Sequence, residues 1–240
     1  MHINNKFILS ILLLLFVIKT STAQEEVDTE LWAGITAKIK SGKRWSFGLN
    51  TQARFKEFVQ EFDRVLVEFD ANYNPRFHKF VKPFKLGAGL RYSFDYNEDD
   101  EDSYLRFFVK LSYKWKVKKF FVEGRVQYQN RLYINTPKEE DHHPWAQDIR
   151  CRLKLGYNLK KLNLYPAIWT EAFFHEEVGD FDGFTKYRIG ASLDYRISKQ
   201  HLIGLKYIFE QEVRYFDPNT THSIAISYRY TYKIKKRKRK

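Results

Sequence analysis

Hydrophobic and polar residues alternate almost one by one along most of this chain. The segment from Trp45 to Phe55 is the clearest. Trp45, Phe47, Leu49, Thr51, Ala53 and Phe55 fall on one face, and Arg44, Ser46, Asn50, Gln52, Arg54 and Lys56 fall on the other. A period of two marks a strand with one apolar and one polar side. Thr185 to Glu212 repeats the pattern as a long hairpin. Its first arm sets Tyr187, Ile189, Ala191, Leu193 and Tyr195 against Lys186, Arg188, Ser192, Asp194 and Arg196. After Ser198-Lys199-Gln200, the second arm sets Ile203, Leu205, Tyr207 and Phe209 against Lys206, Glu210 and Glu212. The same reading yields about eleven strands, nearly all long enough for the roughly nine to eleven residues that cross a bilayer at a tilt. No segment with a helical period follows residue 24.

Strands of this length with one wholly apolar face predict an all-β fold, an antiparallel transmembrane β-barrel of about 10–12 strands. In lipid every backbone N–H and C=O must be paired, so such a sheet closes on itself. Tyr113, Trp115, Tyr128, Tyr157, Tyr195, Tyr230 and Tyr232 stand near strand ends, where an interfacial girdle belongs. The connections alternate in the second half of the chain. Long acidic ones are expected at 97–102, 135–144 and 176–183, and short basic ones at Lys118-Lys119, Lys160-Lys161 and Lys199. Outer-membrane barrels carry long loops outside and short turns in the periplasm, so the acidic loops are expected to face outward. This orientation has a consequence for closure. The turn Ser41-Gly42-Lys43 falls on the periplasmic side, so the first and last strands run the same way. Bacterial barrels have even, antiparallel strands. Either a further strand exists, or one segment, Glu30 to Ile39 foremost, stands outside the wall; the closure is open at this stage.

The first residues have a different character. Asn4, Asn5 and Lys6 precede the apolar run Ile8 to Ile18, interrupted only by Ser10, and Ser21-Thr22-Ala23 reads as a small-residue cleavage site. The run is too short to span a bilayer, so residues 1–23 read as a cleaved secretory signal peptide, 24–234 as the barrel, and 235–240 (KKRKRK) as a solvated basic tail. From these features the protein is expected in the outer membrane of a Gram-negative cell. Its expected partners are outer-membrane lipids, lipopolysaccharide and the barrel-assembly machinery. The formal charge is +13, yet the basic residues are scattered through strands and turns, and nucleic acid is not an expected partner. The oligomeric state is not legible. The single cysteine, Cys151, lies on an apolar face and reads as a small outward hydrophobe.

The polar faces are dense in charge. Glu68, Asp70, Arg91, Arg125, Arg150, Arg152, Glu171, Arg188, Asp194 and Glu210 are expected to share the lumen. Buried charges must be paired or hydrated. The cluster therefore reads first as an ion-pair network filling a narrow lumen, and second as an arginine-rich, anion-preferring pore or small-ligand pocket. Candidate residues for lipid-modifying chemistry are His142, His143, His175, His222 and Ser223, with Glu171 as an orienting group for His175. None sits in a distinctive motif, so no catalytic residue is assigned. His142-His143 beside Glu139, Glu140 and Asp141 matches no tetrahedral zinc spacing, and 97–102 lacks a calcium-loop spacing. No metal or cofactor is expected.

Several stretches carry a family resemblance: LGAGLRY at Leu86 to Tyr92, RCRLKLGYNLKK at Arg150 to Lys161, YPAIWTEAFF at Tyr165 to Phe174 and YRIGASLDYRISKQHLIGLKY at Tyr187 to Tyr207. With Trp32 and a signal ending in STAQ, the chain resembles the bacterial family known as domain of unknown function 2490, regarded as outer-membrane β-barrels. The resemblance implies a barrel and no assigned activity. The expected function is a non-enzymatic barrel with a structural, small-ligand-binding or passive-transport role. The alternatives are a membrane-embedded lipid hydrolase or acyltransferase and, less favoured, a soluble secreted β-domain.

Overall fold

The computed structural model describes residues 27–96, 101–134, 145–177, 180–213 and 218–234. The expected signal peptide, most of the first two acidic loops, His142, His143 and the basic tail lie outside the described residues. Eleven strands form one closed sheet: β1 Val27–Ser41, β2 Trp45–Lys56, β3 Glu61–Tyr73, β4 Phe84–Tyr96, β5 Glu101–Val117, β6 Phe120–Tyr133, β7 Trp145–Tyr157, β8 Leu164–Glu177, β9 Asp180–Arg196, β10 His201–Glu212 and β11 Thr220–Ile234. Each strand pairs antiparallel with the one before it.

The closure resolves the open question. β1 pairs with β11 in parallel, in unbroken register from Val27 opposite Thr220 to Ser41 opposite Ile234. Glu30 to Ile39 is therefore in the wall, and an odd count closes by joining two strands that run the same way. Parallel pairing is slightly weaker per residue than antiparallel pairing. Here it extends over the whole of both strands and removes the two edges an open sheet would expose.

The strands separate two rims. At one, here called the loop rim, lie 57–60 and the facing ends of β4 and β5, β6 and β7, β8 and β9, and β10 and β11; at the other, the turn rim, lie 42–44, 74–83, 118–119, 158–163 and 197–200. Two connections differ from expectation. The acidic stretch 176–183 is mostly strand, because β8 continues to Glu177 and β9 starts at Asp180. Register shifts between Phe173 and Phe174 and between His175 and Glu177 absorb the extra residues. At the turn rim, 74–83 is long. It is held by Asn74 N–H donating to Arg44 C=O at 2.8 Å and Lys82 N–H to His78 C=O at 3.2 Å, and it leaves Phe77 and Phe80 exposed.

The outer wall is apolar from rim to rim. Ile35 is 64% exposed, Ile168 60%, Val109 55% and Phe69 51%. A soluble monomer rarely shows apolar patches beyond a few hundred Å². The buried residues point inward and are mixed: Leu66, Phe108, Phe173, Trp32 and Trp169 share the interior with Asp63, Arg106, Arg150, Glu171 and Ser223. Trp32, Trp169, Ile208 and Ala225 form an apolar cluster inside the barrel.

Candidate functional site

The lumen holds a cavity of about 770 Å³, to which β1 through β11 contribute side chains. Among the described residues, ten arginines and three lysines line it against six carboxylates, an excess of seven positive charges. The period of two places them there. A residue such as Arg150 points inward because its neighbours Ile149 and Cys151 point out.

Most carboxylates of the lumen are locked by cations across the strand ladders. Glu171 accepts from Arg125 Nη2 at 2.6 Å and from Arg150 Nη2 at 3.1 Å, and its side chain is 2% exposed. Arg91 grips Glu68 through both Nε and Nη2. Glu210 takes Arg188 and, at 3.1 Å, Lys186 Nζ. Arg64 bridges Asp63 at 2.9 Å and Asp95 at 3.3 Å. Asp148 collects Gln129 Nε2 at 2.7 Å, Arg131 at 3.2 Å and the His175 Nδ1 at 2.7 Å.

Four arginines of the cavity, Arg54, Arg106, Arg152 and Arg229, make no ion pair among the described residues. The Nε atoms of the first three are buried without a hydrogen bond, as are those of the ion-paired Arg125, Arg131 and Arg150. The first three sit over an aromatic face: Arg54 over Trp32 at 4.0 Å, Arg152 over Trp169 at 4.0 Å and Arg106 over Tyr104 at 5.3 Å. A ring face attracts a cation electrostatically without neutralising it. The ring holds the guanidinium in place while the charge stays available to an anion in the cavity.

Of the ten lumen residues expected from the sequence, Glu68, Arg91, Arg125, Arg150, Arg152, Glu171, Arg188 and Glu210 line this cavity together. Asp70 and Asp194 do not. Asp70 turns to Lys110 at 3.2 Å and to Asn72, while Asp194 covers Gly204, where a Cβ would lie 2.8 Å from its Oδ1. Arg54, Arg106, Trp32 and Trp169 fall on the polar strand faces read from the sequence, but the seating of Arg54 on Trp32, Arg106 on Tyr104 and Arg152 on Trp169 was not foreseen, and the inward apolar residues Leu66, Phe108, Phe173 and Ile208 were passed over. Inward arginines within two residues of an inward aromatic were the available signal. Arg106 follows Tyr104 in this way on β5.

The lipid-chemistry candidates separate. His175 is oriented by Asp148 and not by Glu171, whose oxygens are taken by Arg125 and Arg150. His222 and Ser223 point to opposite faces of β11: His222 accepts from or donates to Tyr207 on the outer side at 2.7 Å, and Ser223, 1% exposed, donates to Glu30 at 3.0 Å. Cys151 is exposed on the outer wall. Among the described residues no three histidine, cysteine, aspartate or glutamate side chains gather as a metal site requires.

Comparison with known proteins places this architecture. The β domain of the Bordetella autotransporter Brka has a similar fold, with a TM-score of 0.55 and 14% identity over 78% of this chain and 83% of that one. No curated protein matches the sequence. The model of the family described as "Protein of unknown function (DUF2490)" matches residues 29–222. An outer-membrane-type barrel of eleven strands with a charged lumen is thus the form taken here by a member of the DUF2490 family, to which this chain belongs.

Proposed function

We infer that this barrel resides in the outer membrane and that its lumen binds and passively conducts small anions. The apolar outer wall supports the location, since it would be unstable against water and is suited to lipid. The acidic sequence that joins β4 to β5 and β6 to β7, strands whose facing ends stand at the loop rim, and the basic turns at the turn rim fit an orientation with the loop rim outside the cell. The observation that carries the function is the set of three arginines, Arg54, Arg106 and Arg152, that line the cavity on aromatic faces with no ion-pair partner among the described residues. A lumen built only for stability would balance its charges, because each unpaired buried ion costs several kcal/mol, on the order of the whole pair's attraction. Rings of arginine are the arrangement by which pores favour anions.

Planar-bilayer recording of the refolded protein under a potassium chloride gradient tests this. The expected result is a conductance whose reversal potential lies on the anion side, moving toward zero when Arg54, Arg106 and Arg152 are all replaced by glutamine. Folded protein that conducts nothing, or that prefers cations, ends this reading.

A further inference from the structure

A second basic site stands apart from the central cavity, at the turn-rim end of the β1–β11 seam. It is a pocket of about 260 Å³. Its cationic lining is Lys38, Lys40, Arg196, Lys199, Arg229 and Lys233, and among the described residues no carboxylate lines it. Ser198, Gln200 and Thr231 supply neutral polar groups. Arg229 also lines the central cavity, so it stands between the two spaces.

The parallel closure is what gathers these cations. β1 and β11 both end in basic residues, and because they run the same way both ends reach the same rim. The register sets Thr36 beside Arg229, Lys38 beside Thr231 and Lys40 beside Lys233. Arg196 joins on the same level as Arg229, since each pairs with Leu202 of β10. Had β11 closed antiparallel to β1, Arg229 and Lys233 would stand at the far rim from Lys38 and Lys40. In contrast to the central cavity, where carboxylates take up most of the arginines, no carboxylate among the described residues stands in this pocket beside the six charges; Asp70, outside it, acts on Lys38.

We propose that this pocket is a binding site for multiply charged phosphate-class oxyanions, such as inorganic phosphate, diphosphate or a phosphate monoester. Several like charges around one small concavity repel one another, and a di- or trivalent anion relieves more of that repulsion than chloride does. The pocket is smaller than the ~300–1,000 Å³ of sites for drug-sized ligands, which favours a compact anion. Arg196 and Arg229 bring planar forks that match phosphate oxygens two at a time, and the lysines act as point charges around them. The site goes beyond the lumen's proposed conductance. It adds a preference among anions at one mouth of the barrel, with Arg229 as the residue an anion passes between mouth and cavity.

The test is calorimetric titration of the full chain, refolded in an uncharged detergent, with sodium pyrophosphate at fixed ionic strength. Saturable binding is expected, weakened at least tenfold in Lys38→Gln/Lys40→Gln and altered by no more than twofold in Lys119→Gln/Lys161→Gln, which removes the same charge from two exposed turn-rim lysines outside both the pocket and the central cavity. Each protein is first checked for heat-modifiable gel mobility. If the double lysine variant fails to fold, Lys233→Gln, at an exposed position, takes its place with a loss of several-fold expected. Repeating the titration in nanodiscs separates two sources of the phosphate. Weaker pyrophosphate binding with phosphatidylglycerol present than in phosphatidylcholine alone identifies a lipid headgroup as the occupant, and equal binding identifies a solute. The proposal is overturned if pyrophosphate binds the parent no better than chloride, or if the lysine variants bind as tightly as the parent. Neither result bears on the bilayer conductance, so failure here and failure of the anion-conducting lumen are told apart.

Discussion

The indole of Trp169 occupies the space in which a side chain on Gly190 would stand. The two residues are partners across the β8–β9 ladder, and a Cβ on Gly190 would lie 2.4 Å from both Cε2 and Cζ2 of the ring. Trp169 in turn carries the Arg152 guanidinium at 4.0 Å. A bare backbone on one strand thus fixes a ring on the next, and the ring fixes an unpaired charge in the cavity. Gly190→Val is expected to push Trp169 off its seat and to cost about 1–3 kcal/mol, the range for overpacking. Urea unfolding in detergent, followed by tryptophan fluorescence, checks this. The variant should show a lower midpoint and a shifted emission maximum before unfolding. An unchanged spectrum would mean that Trp169 does not depend on Gly190.

Glu171 holds two arginines from two different strands and is almost fully enclosed. Glu171→Gln would leave Arg125 and Arg150 without a countercharge in a space already rich in cations. Breaking one side of a buried pair costs roughly 3–5 kcal/mol, because the partner's charge stays buried. Glu68→Gln is the comparison. Glu68 serves only Arg91, and both side chains are more exposed, at 15% and 19%. The expected order of unfolding midpoints is parent, Glu68→Gln, then Glu171→Gln. Glu171→Gln should also move the reversal potential further toward anions. A midpoint equal to the parent's would show that water or ions reach Arg125 and Arg150 freely.

How much of this was legible in the sequence depends on what a period of two encodes. It tells which side of a strand each residue faces, so the outward band around Phe47, Leu49 and Ile189 and the inward charges Arg91, Arg150 and Arg188 were readable. Direction leaves no such trace, because a strand alternates identically whether its neighbour runs parallel or antiparallel. The β1–β11 seam was therefore visible only as a conflict in the direction count. Positions where both faces are apolar also escape. Phe108 lies between Phe107 and Val109, and Phe173 precedes Phe174, so the alternation is lost where the lumen places its rings. The His175 assignment failed on distance. Two residues four apart on one strand are about 13 Å apart at ~3.4 Å per residue, which rules out Glu171. Asp148 stands directly across the ladder, where Cβ atoms come within about 5 Å.

Outer and inner positions of the wall should respond differently to an added charge. Ile189 is 52% exposed on the outer wall near the middle of β9, and Gln52 lines the cavity from β2. Ile189→Arg places a cation against lipid at a cost of about 2–4 kcal/mol near the midplane. Gln52→Arg adds one to a hydrated, charged interior. Refolding into lipid vesicles, scored by heat-modifiable mobility, should show a reduced folded fraction for Ile189→Arg and a parent-like one for Gln52→Arg. Equal folding of the two would remove the assignment of outer face to lipid.

The parallel seam makes a prediction that no even, antiparallel barrel shares. Ala33 lies opposite Ile226 and Ala37 opposite Tyr230, all four on the outer face, so the pairs keep a constant offset along both strands. Neighbouring strands are about 4.8 Å apart, within the Cα separations of roughly 4.4–6.8 Å that a disulfide bridges. With Cys151→Ser as background, Ala33→Cys/Ile226→Cys and Ala37→Cys/Tyr230→Cys should both form the bond under mild oxidation, read as altered mobility on non-reducing gels. Ala33→Cys/Tyr228→Cys should not, since a shift of two residues adds about 6.6 Å along the strand and carries the pair beyond reach. An antiparallel pairing would allow one of the first two crosslinks and forbid the other, because moving four residues down one strand would require moving four up its partner. A β1 outside the wall would give neither. Formation of both bonds in one folded population is the outcome that only the parallel closure allows.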